Sequence, residues 1–233
     1  MKTKRNDAIK ALLASTFALS LVGLLPASGL TQEADTPTNS WQRILDFLTK
    51  ERQDSGSQSQ GVSRGSICPV SFTEEAVLWH TRPLLVWQGQ SFPSTGIRQT
   101  SPDLPVWVAT ATETEAGIWQ MPYTGTALEP GIQYEWLFYF MGSSNPDSPV
   151  KWVQFQVLAA EERDRIAADL ANLEAQLQEA DEETIALARA DYFIANGLSA
   201  DALQEIFAVS DPSEVLLETR SAIVQATCGD SAN

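Results

Sequence analysis

The sequence predicts an α+β protein, an antiparallel β-sandwich followed by a small α-helical hairpin bundle, on three observations. Between Ile67 and Leu158, short apolar runs are separated by Gly, Pro, Asn, Asp and Ser, the pattern of an all-β unit. Beyond Leu158 the period changes: Ile166, Leu170, Leu173 and Leu177 recur at steps of four, three and four, as one face of a helix requires. The third observation is local. Leu128 to Tyr134 spells L-x-P-G-x-x-Y ahead of a strand. Pro130 fixes φ, Gly131 accepts a positive φ, and Tyr134 can return its hydroxyl to the backbone upstream, which is a tyrosine corner. That corner makes the sandwich immunoglobulin-like in architecture, although the Cys, Trp, Cys spacing of antibody-type domains is absent.

The first element is not part of the fold. Lys2, Lys4, Arg5 and Lys10 precede an apolar run from Ala11 to Leu25 and the small residues Ala27 and Gly29, the layout of a signal peptide cleaved after Gly29. A retained membrane anchor is the competing reading. The run reaches only about 22 Å as a helix, against a hydrocarbon layer of about 30 Å. No Cys follows to carry a lipid. The mature chain is therefore expected to be secreted or periplasmic, with no stable membrane insertion.

Residues 30–61 form a polar junction with one amphipathic stretch. Asn39 or Ser40 can cap a short helix carrying Trp41, Ile44, Leu45 and Leu48, which docks on the later part or recruits a partner. Asp54 to Gln60 contains no apolar residue and is expected to be flexible. Residues 62–158 are the β-sandwich domain, with strands near Glu75–Trp79, Leu84–Gln88, Val106–Thr112, Gly117–Met121, Gln133–Phe140 and Lys151–Val157. Tyr134, Trp136, Phe138 and Phe140 give one strand a wholly aromatic face, so it is placed centrally. Residues 159–228 are an acidic α-helical domain. After a long first helix, a second runs from about Glu182 to Asn196 and ends at Gly197. Ser199 caps a third, from Ala200 to Ala208, and Asp211, Pro212 and Ser213 open a fourth. Ala190, Phe193, Gly197, Ala202 and Ile206 are spaced as in one tetratricopeptide unit. They either pack on neighbouring helices or hold a peptide.

Charge and composition narrow the function classes. The chain has 233 residues with 15 Lys+Arg against 30 Asp+Glu. Removing residues 1–29 takes four basic residues and one acidic, leaving 11 against 29, a net of −18. Phosphate backbones and anionic headgroups are repelled at that charge. One His and two Cys cannot furnish a four-ligand zinc site, and no phosphate loop, calcium loop or nucleophile elbow appears. No cofactor, metal or nucleic-acid partner is expected. Cys68 and Cys228, in an exported chain, form one disulfide or remain two thiols.

Candidate chemistry is sparse. His80 is the single imidazole, so any triad runs through it; its place between Trp79 and Thr81, just before Pro83, reads as a strand end or turn. The densest carboxylates, Glu161 with Glu162 and Asp181 to Glu183, stand at helix starts, where negative charge complements the macrodipole. Paired-acid hydrolysis is the enzymatic alternative; no catalytic residue is assigned. Trp152 shares the polar face of its strand with Gln154 and Gln156. Such an indole either stacks on sugar or holds a peptide, or is partly covered by the helices.

Arg64, Gly65, Ser66, Ile67, Cys68 and Pro69, the strand Arg82 to Trp87, the turn Leu128 to Tyr134 followed by Glu135, Trp136, Leu137 and Phe138, and the helical end Ala190 to Leu203 resemble the cyanobacterial family called domain of unknown function 928. The likeness spans Val62 to Ile223, with Phe140, Met141 and Gly142 standing where many relatives carry a second Cys. The resemblance implies an exported protein, brings no catalytic residue, and points towards envelope interactions. The expectation is a non-enzymatic module that binds an unknown protein partner in the cell envelope. Carbohydrate or cell-wall binding through exposed Trp, and hydrolysis by paired carboxylates, are the alternatives.

Overall fold

Alternation decides which way each strand faces, and one strand shows that it is covered twice. The run Leu84–Gln88 (β3) has no polar residue before its last position, and its first four side chains are all buried. In the computed structural model, which describes residues 37–54, 67–72, 75–89, 93–100, 104–115, 117–140 and 148–229, Leu84 and Val86 point into a helical core. Leu85 and Trp87 point the other way, into a core between two sheets. The expected leader, residues 1–29, lies outside the described residues, as does the polar tract Asp54 to Gln60 apart from the helical Asp54.

The chain is mixed α/β, with two sheets and five helices. One sheet runs β1 (Cys68–Pro69), β3, β7 (Ile118–Pro122), β6 (Thr112–Glu115), all antiparallel. The other runs β2 (Ala76–Leu78), β9 (Lys151–Val157), β8 (Gln133–Tyr139), β4 (Ser94–Gln99), β5 (Leu104–Thr110); it is antiparallel except where β2 lies parallel to β9. β8 is the middle strand of five. Its Tyr134, Trp136 and Phe138 meet Trp87 and Leu85 of the other sheet, with Val153, Phe155 and Val157 of β9 beside them. The sheets are joined by aromatic contact: Trp87 stands edge-on to Trp136 and to Phe138, each at 5.9 Å between ring centroids.

β4 is a strand that the sequence pattern does not announce. Ser94–Gln99 has one large apolar side chain, Ile97, yet Thr95 and Ile97 are both fully buried. A threonine serves here because its hydroxyl is satisfied on both sides. It donates to the Leu137 carbonyl at 2.8 Å and accepts from the Trp136 indole at 2.6 Å.

Five helices follow the same logic. α1 (Pro37–Asp54) begins a turn before Asn39 and Ser40, with Pro37 at the first helical position, where its missing N–H costs nothing. Trp41, Ile44 and Leu48 are buried and seat it against α5 (Glu214–Cys228) and α3 (Glu182–Ala195). α2 (Ala160–Gln176) buries Ile166 and Leu170. α3 opens on Asp181, whose carboxylate accepts from Thr184 N–H at 2.7 Å, and is ended by Gly197 at φ +71°. α4 (Ser199–Ala208) differs from expectation at its start: Ser199 is its first residue and Leu198 precedes it, without a side-chain cap. Ser213 caps α5 by accepting from Leu216 N–H. Of the tetratricopeptide-like set, Ala190, Phe193, Ala202 and Ile206 are fully buried together in the helical core, while Gly197 is exposed at the end of α3. The buried four hold helices to one another and offer nothing to a peptide.

Residues 35–233 cluster as one compact unit. The described helices lie on the outer side of the β3 sheet, and none of them packs on the outer side of the β8 sheet. No helix among the described residues is long and apolar enough to cross a membrane.

Candidate functional site: the uncovered sheet face and a buried histidine

Pairing register fixes what the uncovered face presents. Trp152 of β9 lies opposite Leu137 of β8, Leu137 opposite Gly96 of β4, and Gly96 opposite Val108 of β5, so one row crosses four strands. Trp152 is 50% exposed and Val108 46%, whereas Leu137 and Tyr139 between them are buried. Gly96 is required: a Cβ there would stand 2.7 Å from the Trp107 carbonyl oxygen and 3.4 Å from the Tyr139 ring. The next row is Gln154, Glu135 and Arg98. Arg98 Nε donates to Glu135 at 2.5 Å, and Gln154 reaches the other carboxylate oxygen at 3.4 Å, so this ion pair is neutral within itself. Gln156 donates to the Gly131 carbonyl, and Val77 of β2 is exposed beside it. The described part of the face thus carries one internal ion pair, two glutamines and the half-exposed Trp152 around a buried Leu137 and Tyr139.

That internal pairing contrasts with the helices, where residues 159–229 hold four arginines against fifteen carboxylates. The helix-start carboxylates are engaged locally. Glu182 accepts from Ser210, and Glu183 from Ser213 and from the Trp41 indole at 3.1 Å. Asp181, held below the usual carboxylate range by the Thr184 N–H, is a cap. Glu161 and Glu162 are exposed in the first turn of α2.

Five of the other six tryptophans donate their indole N–H inside the protein: Trp41 to Glu183, Trp79 to the Arg163 carbonyl, Trp107 to Thr124, Trp119 to the Gly89 carbonyl and Trp136 to Thr95. No described residue accepts from Trp152. The helical cover considered for it in the sequence falls on the opposite sheet.

His80 lies in the connection from β2 to β3. Its side chain is 15% exposed and held on both nitrogens, Nδ1 at 2.6 Å from Asp201 and Nε2 at 3.3 Å from Glu205, one turn apart on α4. Asp201, 1% exposed, also accepts the backbone N–H groups of Trp79 and His80. Glu205 is shared with Arg189 of α3, which also pairs with Glu174 of α2. Burial lowers the affinity of the ring for a proton, but the two carboxylates more than offset it, and the imidazole pKa lies above its ordinary value. Burial likewise opposes ionisation of Glu205, and His80 and Arg189 reverse the balance, so its pKa lies below the usual range. Nothing in the local sequence announces these partners, which stand about 120 residues away.

The remaining sequence-predicted residues are structural in place. Cys68 and Cys228 are bonded, Sγ to Sγ at 2.04 Å, tying β1 to the end of α5. At the turn before β8, Leu128 is buried, Pro130 is exposed, Gly131 has φ +79°, and the Tyr134 hydroxyl accepts from the Glu129 N–H at 2.8 Å. Tyr134→Phe keeps the ring stacked on Phe155 and removes one hydrogen bond. The expected loss is about 1 kcal/mol in urea unfolding; no loss would show that the hydroxyl does not hold this turn.

Among the described residues, no group of three or more His, Cys, Asp and Glu side chains is placed to hold a metal ion. Compared with protein-family models, with curated proteins and with solved structures, the chain matches none.

Proposed function

We propose that this chain is an exported, non-enzymatic interaction module of the cell envelope, built on an immunoglobulin-like sandwich, and that it binds a partner protein through the outer face of the β8 sheet. The observation that carries the binding reading is Trp152, half exposed on the sheet face that none of the described helices covers. A half-exposed indole with no acceptor among the described residues, beside Gln154 and Val108, has the composition of a binding centre, since tryptophan combines large apolar area with a polar handle. An ion pair closed within the face favours contact by shape and apolar burial over charge. Sugar stacking is less well supported because Trp152 is the single Trp among the large exposed side chains.

Strand order supports the architectural part. The order β1-β3-β7-β6 follows the A-B-E-D sheet of immunoglobulin domains, and β9-β8-β4-β5 follows G-F-C with one added strand. Trp136 stands two residues after the corner tyrosine, where antibody domains carry the second cysteine of their inter-sheet bridge. Its contact with Trp87 spans the sheets in place of that bridge. Export is supported by the layout of residues 1–29 and by the disulfide.

The test compares residues 30–233 with the Trp152→Ala variant as baits on envelope extract. A protein retained by the parent should be lost on the variant, with affinity reduced about 30-fold or more, the level of an interface hot spot. Thermal unfolding confirms that the variant folds. Equal retention by both, or recovery of glycan alone, refutes the reading.

A further inference from the structure

His80 is the one imidazole in the chain, and it bridges two layers: its backbone belongs to the β2–β3 connection and its two partners to α4. A carboxylate accepts but cannot donate, so both contacts are hydrogen bonds only when both ring nitrogens carry protons. That state is the imidazolium. We propose that His80 is a proton-operated clasp that fastens the helical layer to the β2–β3 connection, closed while the ring is charged and released on one side when it is neutral.

The surroundings define which side lets go. On α4, Asp201 is anchored independently by the N–H groups of Trp79 and His80 at 2.8 and 2.9 Å, so a neutral ring keeps its Nδ1 proton on Asp201. Nε2 is then a lone pair facing Glu205 at 3.3 Å. Glu205 has an alternative cation in Arg189 of α3 at 2.8 Å and can turn to it. The other charges nearby do not replace the lost proton. Glu174 of α2 engages Arg189 from its far side. Arg163 of α2 donates to the Trp79 carbonyl at 2.7 Å and lies over the Trp79 ring, and Arg82 reaches the Gly125 carbonyl. Phe193 and Trp79 pack on the ring, tilted and edge-on, at centroid distances of 5.6 and 4.9 Å. α4 then keeps the bonds of Asp201 to the Trp79 and His80 N–H groups and that of Gln204 to the Leu84 N–H at 3.0 Å, without the one from His80 to Glu205.

The direction follows from linkage. A histidine whose pKa is raised by folding contributes stability that is complete below the unfolded value, near 6.5, and is lost as pH climbs through the folded value. Glu205, shifted downward, contributes above its unfolded value and fails only in stronger acid. The clasp is therefore closed below the unfolded value, about 6.5, and opens as pH climbs through the raised folded value.

With one histidine, a carbon-13 correlated proton spectrum of the full chain gives a single Cε1 signal, whose titration midpoint reports this ring alone. The midpoint should lie above that of the same chain in 8 M urea, roughly 6.5. Through that pH range the melting temperature of the parent should fall relative to His80→Gln, which cannot titrate. Protection of the Leu84 amide, corrected for intrinsic exchange, should fall with it. A midpoint at or below the urea value overturns the proposal. So does a raised midpoint with parallel pH profiles for parent and His80→Gln, because the ring would then be a passive core residue.

Discussion

Replacing Cys68 and Cys228 together by alanine should lower the unfolding free energy by about 5 kcal/mol. The bridge closes a loop of 160 residues, and the chain-entropy relation gives that magnitude for a loop of this length. Small domains have only about 5–15 kcal/mol in total, so the bridge-free chain should be marginal at 37 °C. The packing contribution is smaller, since both residues are buried but small and alanine keeps part of the contact. Urea unfolding of the parent, oxidised and after reduction, and of the double variant measures the effect. A loss below about 1 kcal/mol would mean that α1, α5 and β1 hold the ends together in the unfolded ensemble without sulfur. The expected size also bears on location: a chain that owes this much to one bridge suits an oxidising compartment.

The second large effect is at Trp136. The side chain is fully buried and touches Phe138, Phe72 and Trp87 at centroid distances of 4.5, 4.9 and 5.9 Å. Trp136→Ala should cost about 4 kcal/mol, through lost burial and a cavity that two sheets cannot collapse to fill. Trp136→Phe should cost only about 1–2 kcal/mol. It keeps a ring between the sheets and loses the hydrogen bond to Thr95, whose hydroxyl still donates to Leu137. Equal costs for the two variants, measured by urea unfolding, would place the stabilisation in that hydrogen bond and contradict the account of aromatic contact between sheets.

Legibility in the sequence tracked how one-sided each element is. β9 shows a regular alternation because it has one wet face, and its bounds were readable at Lys151 and Val157; β3, buried on both sides, read as an unbroken apolar run with bounds Leu84 and Gln88. β4 was missed because its position between β8 and β5 supplies the burial that its composition does not advertise, with Thr95 in a core position. β1 and β6 were missed because two residues, and the sequence Thr-Glu-Thr-Glu, carry no apolar pattern. The site divides in the same way. The oddity of Trp152 among glutamines was visible along one strand, but whether helices cover it depends on which sheet they choose. The His80 partners were invisible because pairings across 121 residues and more leave no local trace, and a buried aspartate in α4 reads as an ordinary polar position.

The sulfur bridge between the first strand and the last helix has a mechanical consequence. The Cα atoms of Cys68 and Cys228 are 5.8 Å apart, so tension applied along the chain would pass from one to the other through a covalent link. Both sheets and the four helices α2 to α5 would carry none of the load. Contour of roughly 540 Å, at about 3.4 Å for each residue between the cysteines, would stay hidden from a pulling device until reductant is added. α1, outside the bridge, would peel away first. Pulling on the two ends would thus strip one helix and leave the sheets, with Trp152, folded.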